Sequence, residues 1–424
     1  MVELSREALH VSVSDPVSAS MNFLNEVASR FPDAIALAAG RPFDEFHSAA
    51  DVDKHLQAYL THLQERGVTA AQSRVMLTQY GRTNGHIGGL IARMLDVDED
   101  IRVPDEAVMV TAGCQEAMII ALRGLCAGPG DVVLAAEPCY VGFTGAARIL
   151  GIDVVPVPES PDGLRPSTVR EVAAAVRAGG RTPKALYLVP NFANPSGVSL
   201  PVATRRELLD VADEADLLIL EDDPYGLFGL DDEPRPTLKS LDTGHRVIYL
   251  GSFAKSYFPG VRVGFLVADQ PVVDAAGRRT LLAEELSTVK SMLTVNTSAL
   301  SQAVVGGMLL DSGFSLRTAN ASKISFYRRN LRTLLDALET HLGGGAVRWN
   351  SPSGGFFVVV DVPVDASEDL LEVSAREHGV LWTPMRFFYL GGGGSRQIRL
   401  SCSALEPAQI EEGVRRLAGL LATA

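Results

Sequence analysis

The 424-residue chain reads as an α/β protein, with a large domain built on a mostly parallel seven-stranded sheet and a smaller α+β domain after it. Three observations predict this. Single hydrophobic cores stop growing near roughly 250 to 300 residues, so a chain of this length divides in two and leaves a cleft. From about residue 107, short apolar runs rich in Val, Leu and Ile alternate with longer helical patterns, as parallel strands joined by helices do. After about residue 300 the alternation stops. The expected boundaries are an N-terminal arm with part of the small domain at 1–45, the large domain at 46–300 and the small C-terminal domain at 301–424.

In the arm, Met21 to Phe31 reads as a helix and Ala34 to Ala39 as a short strand. The seven strands are Ala107 to Thr111, Val132 to Ala136, Val154 to Val157, Ala185 to Val189, Leu217 to Leu220, Val247 to Leu250 and Val261 to Val267. Gly128-Pro129-Gly130-Asp131 turns a helix into a strand, and Thr168-Val169-Arg170-Glu171 has capping-box spacing for a helix that Gly179-Gly180 ends. Ala299 to about Leu342 is one long helical stretch, followed by strands near Gly355 to Val362 and Gln397 to Cys402 and an amphipathic helix from Pro407. The run Gly391-Gly392-Gly393-Gly394 serves either a closing loop or a tight connection.

A net charge of −13 disfavours nucleic acid and anionic membranes, because neither polyanion gains from an acidic surface. No apolar run reaches the length of a bilayer span, and the opening residues lack the apolar core of a secretory signal. A cytoplasmic location is expected. Cys114, Cys126, Cys139 and Cys402 are too few and scattered for a disulfide framework, and the eight histidines show no ligand spacing, so no protein-bound metal is expected.

The most informative stretch is Gly251-Ser252-Phe253-Ala254-Lys255-Ser256-Tyr257-Phe258-Pro259-Gly260-Val261-Arg262. An amine becomes a nucleophile when desolvation or a neighbouring cation destabilises its charge, and Arg262 can be that cation. Arg262 as a planar fork and Ser252 as a donor also suit a phosphate monoester. A lysine that holds a phosphorylated aldehyde describes pyridoxal 5'-phosphate. The Ser-x-x-Lys of serine acyl-transferases is a rival, but no Ser-Asp-Asn or Lys-Thr-Gly follows.

Other distinctive residues lie just past the ends of expected strands, the edge where ligands bind in open α/β sheets. Gly113-Cys114-Gln115 lies between a strand and a helix, where free N–H groups can hold a phosphate; such a site is also an ordinary helix start. Tyr140 offers a flat face for stacking on a heteroaromatic ring, or packs in the core. Asn194, in Asn191-Phe192-Ala193-Asn194-Pro195-Ser196-Gly197, is a turn residue whose amide can donate to a phenolate oxygen. Glu221-Asp222-Asp223-Pro224-Tyr225 ends a very apolar strand, and three carboxylates there are costly without compensation. Asp222 is the choice to keep a pyridine nitrogen protonated, with Tyr225 donating to the ring oxygen; a magnesium site is the rival. Arg399 is a bidentate clamp for a substrate carboxylate, unless it merely lies on a solvated strand face.

Together these motifs resemble the fold-type I, class I/II aminotransferases, in the kynurenine, α-aminoadipate, branched-chain and aromatic subgroup, from about Met21 to the C-terminus. The resemblance implies that Lys255 is the Schiff-base lysine, Asp222 the pyridinium partner, Asn194 and Tyr225 the ring-oxygen ligands and Tyr140 the stacking aromatic. It implies a phosphate cup of Ser252, Arg262 and the Cys114-Gln115 backbone beside Gly113. Tyr80, in Gln79-Tyr80-Gly81-Arg82-Thr83, is similar to the family tyrosine that reaches the neighbouring subunit's phosphate, and Gly40 to the glycine near the substrate carboxylate, so an obligate homodimer is implied. Cys114 departs from the usual serine or threonine. Arg41 adds a cation that either recognises a second carboxylate or pairs with an acid.

More narrowly, Ser5-Arg6-Glu7-Ala8-Leu9-His10 with Ser14-Asp15-Pro16, Gln79 to Gly85 and Gly113-Cys114-Gln115-Glu116 resemble the arylglycine aminotransferases of actinobacterial antibiotic pathways. These form hydroxyphenylglycine or dihydroxyphenylglycine from the arylglyoxylate, with L-tyrosine or L-glutamate as donor. Phe387-Phe388-Tyr389 would then supply an aromatic wall in the segment Arg386 to Tyr389, or belong to the core. The rivals are an aromatic, α-aminoadipate or branched-chain aminotransferase of general metabolism, a decarboxylating or eliminating enzyme with the same cofactor, and a sensor domain of a transcription regulator. The last would need a DNA-binding segment within the first 45 residues and a more basic chain.

Overall fold

The computed structural model describes residues 2–13, 23, 26–233 and 235–423. β1 (Ile35–Ala36) stands outside the large sheet. That sheet contains β2 (Val108–Thr111), β3 (Asp131–Glu137), β4 (Asp153–Ser160), β5 (Gly163–Leu164), β6 (Thr182–Leu188), β7 (Leu218–Asp222), β8 (Val247–Ser252) and β9 (Gly264–Val267). Its order is β2-β9-β8-β7-β6-β3-β4-β5. The run β8-β7-β6-β3-β4 is parallel, and β9 lies antiparallel between β8 and β2. Seven of these are the expected strands; the eighth, β5, is a two-residue return on β4. Apolar side chains on both faces of β2, β6 and β7 are buried, as covered parallel strands require.

A hairpin of β10 (Pro271–Val273) and β11 (Arg279–Leu281) follows. The second sheet has β12 (Arg348–Trp349), β13 (Phe357–Asp361), β15 (Thr383–Pro384) and β16 (Gln397–Ser401) in the antiparallel order β12-β13-β16-β15. β14 (Val380–Leu381) pairs in parallel with β1, which brings the segment near Ile35 to the C-terminal part. Of the helix expected at Met21 to Phe31, Phe23 and Glu26–Arg30 are helical, while Met21, Asn22, Leu24 and Asn25 lie outside the described residues.

Three expectations shift. β9 starts at Gly264 rather than Val261, because Pro259–Val261 forms a short 3-10 turn and Arg262 takes a left-handed φ of 50°. The helix after β5 starts at Pro166, and its N-cap Arg165 makes no side-chain cap bond; proline suits the first turn, so Thr168 is already inside the helix. The long stretch after Ala299 is three helices, Ala299–Asp311, Leu316–Ala319 and Ala321–Leu342. It breaks where Gly313 and Phe314 take positive φ and Asp98 accepts bonds from the Ser315 hydroxyl and the Leu316 N–H. Among the described residues no helix is long and apolar enough to cross a membrane.

Candidate active site

A cavity of about 450 Å³ opens at the carboxyl edge of the large sheet and is closed from the other side by β13, β15 and β16. Every site residue read from the sequence lines it except two. Gly113 lies just behind the wall: its φ is +85°, and a Cβ there would fall 2.4 Å from Arg262 Nη2. Tyr80 is 85 % exposed on the surface of its own chain.

Lys255 sits in the short helix Phe253–Ser256 that follows β8, with the Ser252 hydroxyl capping that helix on the Ala254 N–H at 3.2 Å. Its Nζ donates to the Gly40 carbonyl at 2.7 Å. Burial, with Arg399 and Arg262 nearby, pushes the amine down to about 8, against the pull of Asp222. A lysine in this state is a competent nucleophile and proton carrier near neutral pH.

The structure sorts the three carboxylates that end β7. Glu221 accepts the Leu238 and Lys239 N–H groups at 2.7 Å each, on the side away from the cavity. Asp223 accepts from Asn191 Nδ2 and the Gly226 N–H, both at 3.1 Å. Asp222 alone of the three lines the cavity. Tyr187 donates to its Oδ2 at 2.8 Å and the Cys114 thiol to its Oδ1 at 3.4 Å. Burial raises Asp222 to about 6, and the two donors hold it down. Among the described residues no three His, Cys, Asp or Glu side chains are placed to hold a metal ion.

Arg399, on β16, is buried and donates to Asn194 Oδ1, to the Ala38 carbonyl at 3.1 Å and to Thr383 Oγ1 at 3.3 Å. Its guanidinium lies 4.3 Å from the Phe357 ring centroid and 4.9 Å from that of Phe388, while Nε has no partner among the described residues. Burial lowers its pKa to about 10. Tyr225 and Tyr140 are raised chiefly by burial, Tyr140 to about 12, so both remain phenols able to donate.

Among the described residues, leaving aside the paired Arg41, the charged side chains on this cavity are Lys255, Arg262, Arg399 and Asp222. Three cations against one carboxylate call for an anionic occupant. The helix Cys114–Leu125 aims its N-terminus at the same region beside Arg262, a phosphate cradle in kind. A phosphorylated pyridine aldehyde and a substrate carboxylate would together balance the set.

Some expectations gain detail. Cys114 turns its thiol to Asp222 rather than standing in for a phosphate-facing hydroxyl, so its backbone is what remains for the phosphate. Arg41 is bound to Asp44 at 2.6 and 2.8 Å, and Arg386 to Asp365 at 2.7 Å. Phe387 and Phe388 line the cavity, but the Tyr389 hydroxyl donates to Gln397. Ahead of the glycine run the chain is anchored: Glu137 accepts the Leu390 N–H at 2.6 Å, and the Cys139 N–H reaches the Phe388 carbonyl at 2.8 Å. The sequence reading misses Tyr187, stacked on Phe143 at 3.8 Å, and also Thr383. A tyrosine in the middle of a buried strand is the one signal that pointed to it.

The model of the family "Aminotransferase class I and II" matches residues 33–417. The chain is 48 % identical over 421 residues to the (S)-3,5-dihydroxyphenylglycine transaminase of Amycolatopsis orientalis, covering 99 % of this chain and 95 % of that one. Its structure is similar to that of Pyrococcus horikoshii kynurenine aminotransferase, with a TM-score of 0.83 and 27 % identity over 99 % of this chain and 97 % of that one. It is similar too to the α-aminoadipate aminotransferase of Thermus thermophilus, solved with a phosphopyridoxyl-leucine adduct, at a TM-score of 0.80 and 30 % identity over 99 % and 100 % of the chains. These relatives transfer amino groups, which decides against the decarboxylating or eliminating alternative. The chain belongs to the class I and II aminotransferases and is a pyridoxal phosphate-dependent transaminase of fold type I.

Proposed function

We propose that this transaminase forms an arylglycine, 4-hydroxyphenylglycine or 3,5-dihydroxyphenylglycine, from its arylglyoxylate, with L-tyrosine or L-glutamate as amino donor. The carrying observation is that the pocket offers a second carboxylate no spare cation. Arg41, on the lining, is tied to Asp44, Arg386 lies off the lining and is tied to Asp365, and the facing wall is Val27, Leu371, Leu381, Trp382, Phe387 and Phe388. A second carboxylate, as in 2-oxoadipate, would lose its hydration there without gaining a free cation, whereas an aromatic ring fits. The same wall favours tyrosine over glutamate as donor. The relative from Amycolatopsis orientalis, a dihydroxyphenylglycine transaminase by name, supports the same substrate class.

When bound, pyridoxal phosphate supplies the aldehyde that takes up the amino group and a ring that accepts electrons from the substrate α-carbon. In this reading Lys255 gives the cofactor its covalent anchor and, once displaced, takes the α-proton as the general base. Asp222 keeps the pyridine nitrogen protonated. Asn194 and Tyr225 donate to the ring oxygen, and Tyr140 stacks on the ring. Ser252, Arg262, Gly113 and the backbone of Cys114 and Gln115 hold the phosphate, while Arg399, with Gly40 beside it, holds the substrate carboxylate. The exposed Tyr80 completes the neighbouring site of a homodimer. A cytoplasmic location and boundaries at 45 and 300 belong to the same reading; the β1–β14 pairing supports grouping the arm with the small domain.

The test is a panel of 2-oxo acids with each donor, compared by kcat/KM. Hydroxyphenylglyoxylates should exceed 2-oxoadipate by about 100-fold or more, the scale of leaving a carboxylate unpaired, and exceed branched-chain oxo acids, which fill less of the apolar wall, by about 10-fold or more. Preference for 2-oxoadipate or an aliphatic oxo acid would refute the arylglycine assignment.

A further inference from the structure

Lys323 is a buried cation to which the chemistry above gives no task. It lies in the first turn of the helix Ala321–Leu342 and is 8 % exposed. Its Nζ donates to the Tyr257 carbonyl at 2.8 Å and the Ser256 carbonyl at 3.3 Å. Those two carbonyls close the four-residue helix that carries Lys255.

The end of a helix leaves its last carbonyls without partners, and in so short a helix that is nearly all of them. Here the Tyr257 N–H returns to the Phe253 carbonyl at 2.8 Å, and a cation from outside meets the carbonyls that follow. Cations are favoured at this end of a helix. The Tyr257 hydroxyl is held in turn by His55 Nδ1 at 2.6 Å. Beyond Tyr257 the chain runs through Phe258 and the turn Pro259–Val261 to Arg262, so Lys323 grips the start of the segment that joins Lys255 to Arg262, directly after the lysine.

Filling space does not require an ammonium here. An apolar side chain of similar length would fill the same volume without the cost of burying a charge, a cost visible in the Lys323 pKa, which burial lowers to about 8 against the opposing field of Asp51. The rest of the helix gives the contact reach. Phe326 and Tyr327 pack in the core under the large sheet, while Leu331, Leu334 and Leu338 pack in the core of the small one.

We propose that Lys323 is a positioning residue for Lys255: by holding the Ser256 and Tyr257 carbonyls it fixes the backbone between the lysine and the phosphate-facing arginine, and so sets where the amine stands over the cofactor. This rests on the roles proposed above for Lys255 and Arg262.

The experiment compares Lys323→Met, Lys323→Gln and Lys323→Arg with the wild-type holoenzyme in kcat, KM, the pH midpoint of the visible absorbance of the lysine-linked cofactor, and apo-protein thermal unfolding. Misplacing a reacting group by a fraction of an ångström to 1 Å costs about 10- to 100-fold in rate. Lys323→Met should therefore lose roughly that factor in kcat, change KM by less than about threefold, and move the absorbance midpoint. Lys323→Arg, which can reach the same carbonyls, should restore both. A Met variant whose only change is a lower unfolding temperature overturns the proposal. If that variant does not fold, equal kcat values for the Gln and Arg variants overturn it. Failure of the underlying reading shows separately, as a Lys255→Ala variant that keeps the visible band and the activity.

Discussion

Asp222 illustrates how the chemistry proposed for this site is set against stability. Its carboxyl is buried and raised to about 6, above an ordinary 3.8. The folded apo-protein therefore holds a proton between those pH values that the unfolded chain releases. The stability tied to this proton is fully present below about pH 4 and lost as pH rises through about 6. Ionising Asp222 at neutral pH thus costs the apo-protein up to about 3 kcal/mol, from a shift of roughly two units. Asp222→Asn, which can still accept from Tyr187, should unfold at higher denaturant than wild type at about pH 8 and show no such gain near pH 4, while losing transamination. Urea unfolding of the two apo-proteins at both pH values checks this, and an equal gain at both would show that ionisation is not the cause. The acidic triplet is legible in the sequence, and so is the choice of Asp222, which stands three residues before Tyr225. Their pairing with Asp222 is not: Tyr187 comes from β6 and Cys114 from the start of the helix Cys114–Leu125, and nothing local in the sequence shows that either donates to Asp222.

At the scale of elements, the turn after β2, to which the proposed function gives the phosphate, is held from behind. Glu116 Oε2 accepts the Ala112 N–H at 2.5 Å and Lys290 Nζ at 3.0 Å, and Oε1 accepts the Thr294 hydroxyl at 2.6 Å. Lys290, fully buried, also donates to Thr297, whose hydroxyl donates to the Val110 carbonyl. Removing one member leaves the other charge buried and unpaired, which costs about 3 to 5 kcal/mol, whereas neutralising both costs much less. Lys290→Met should accordingly lower apo-protein stability by about that amount and weaken pyridoxal phosphate binding, and Lys290→Met with Glu116→Gln should recover most of the loss. Chemical denaturation of the single and double variants measures the coupling; additive losses would mean the pair does not act as a unit. The strands of the large sheet are readable as apolar runs with ends within three residues. Glu116 lies inside a motif quoted from the sequence, yet its partner is 174 residues away. One helix start shows the same: Ser315 caps the helix from Leu316 locally, but the Leu316 N–H is taken by Asp98, on another helix.

For the whole molecule, the open question is what covers Tyr80. Its side chain is 85 % exposed and outside its own cavity. Its neighbour Gly81 lies beside Asn296, and Met292, Val295 and Leu300 expose apolar surface at 83, 48 and 53 % in the same stretch. Exposed apolar groups in one region favour an interface, and the proposed homodimer would place the partner subunit's Tyr80 at the phosphate. Tyr80→Phe keeps the ring for the interface and removes one bond to a charged group, about tenfold or more in cofactor affinity. Lys255→Ala removes the chemistry. In that dimer a site takes Lys255 from one subunit and Tyr80 from the other, so a hybrid of the two variants contains one site with both native residues and one with neither. Dissociating and reassociating a mixture of the two homodimers should therefore raise activity at limiting pyridoxal phosphate above the average of the parents. If Tyr80 serves its own subunit, every Lys255-bearing site in the hybrid still carries the Tyr80→Phe substitution, and mixing gives no gain.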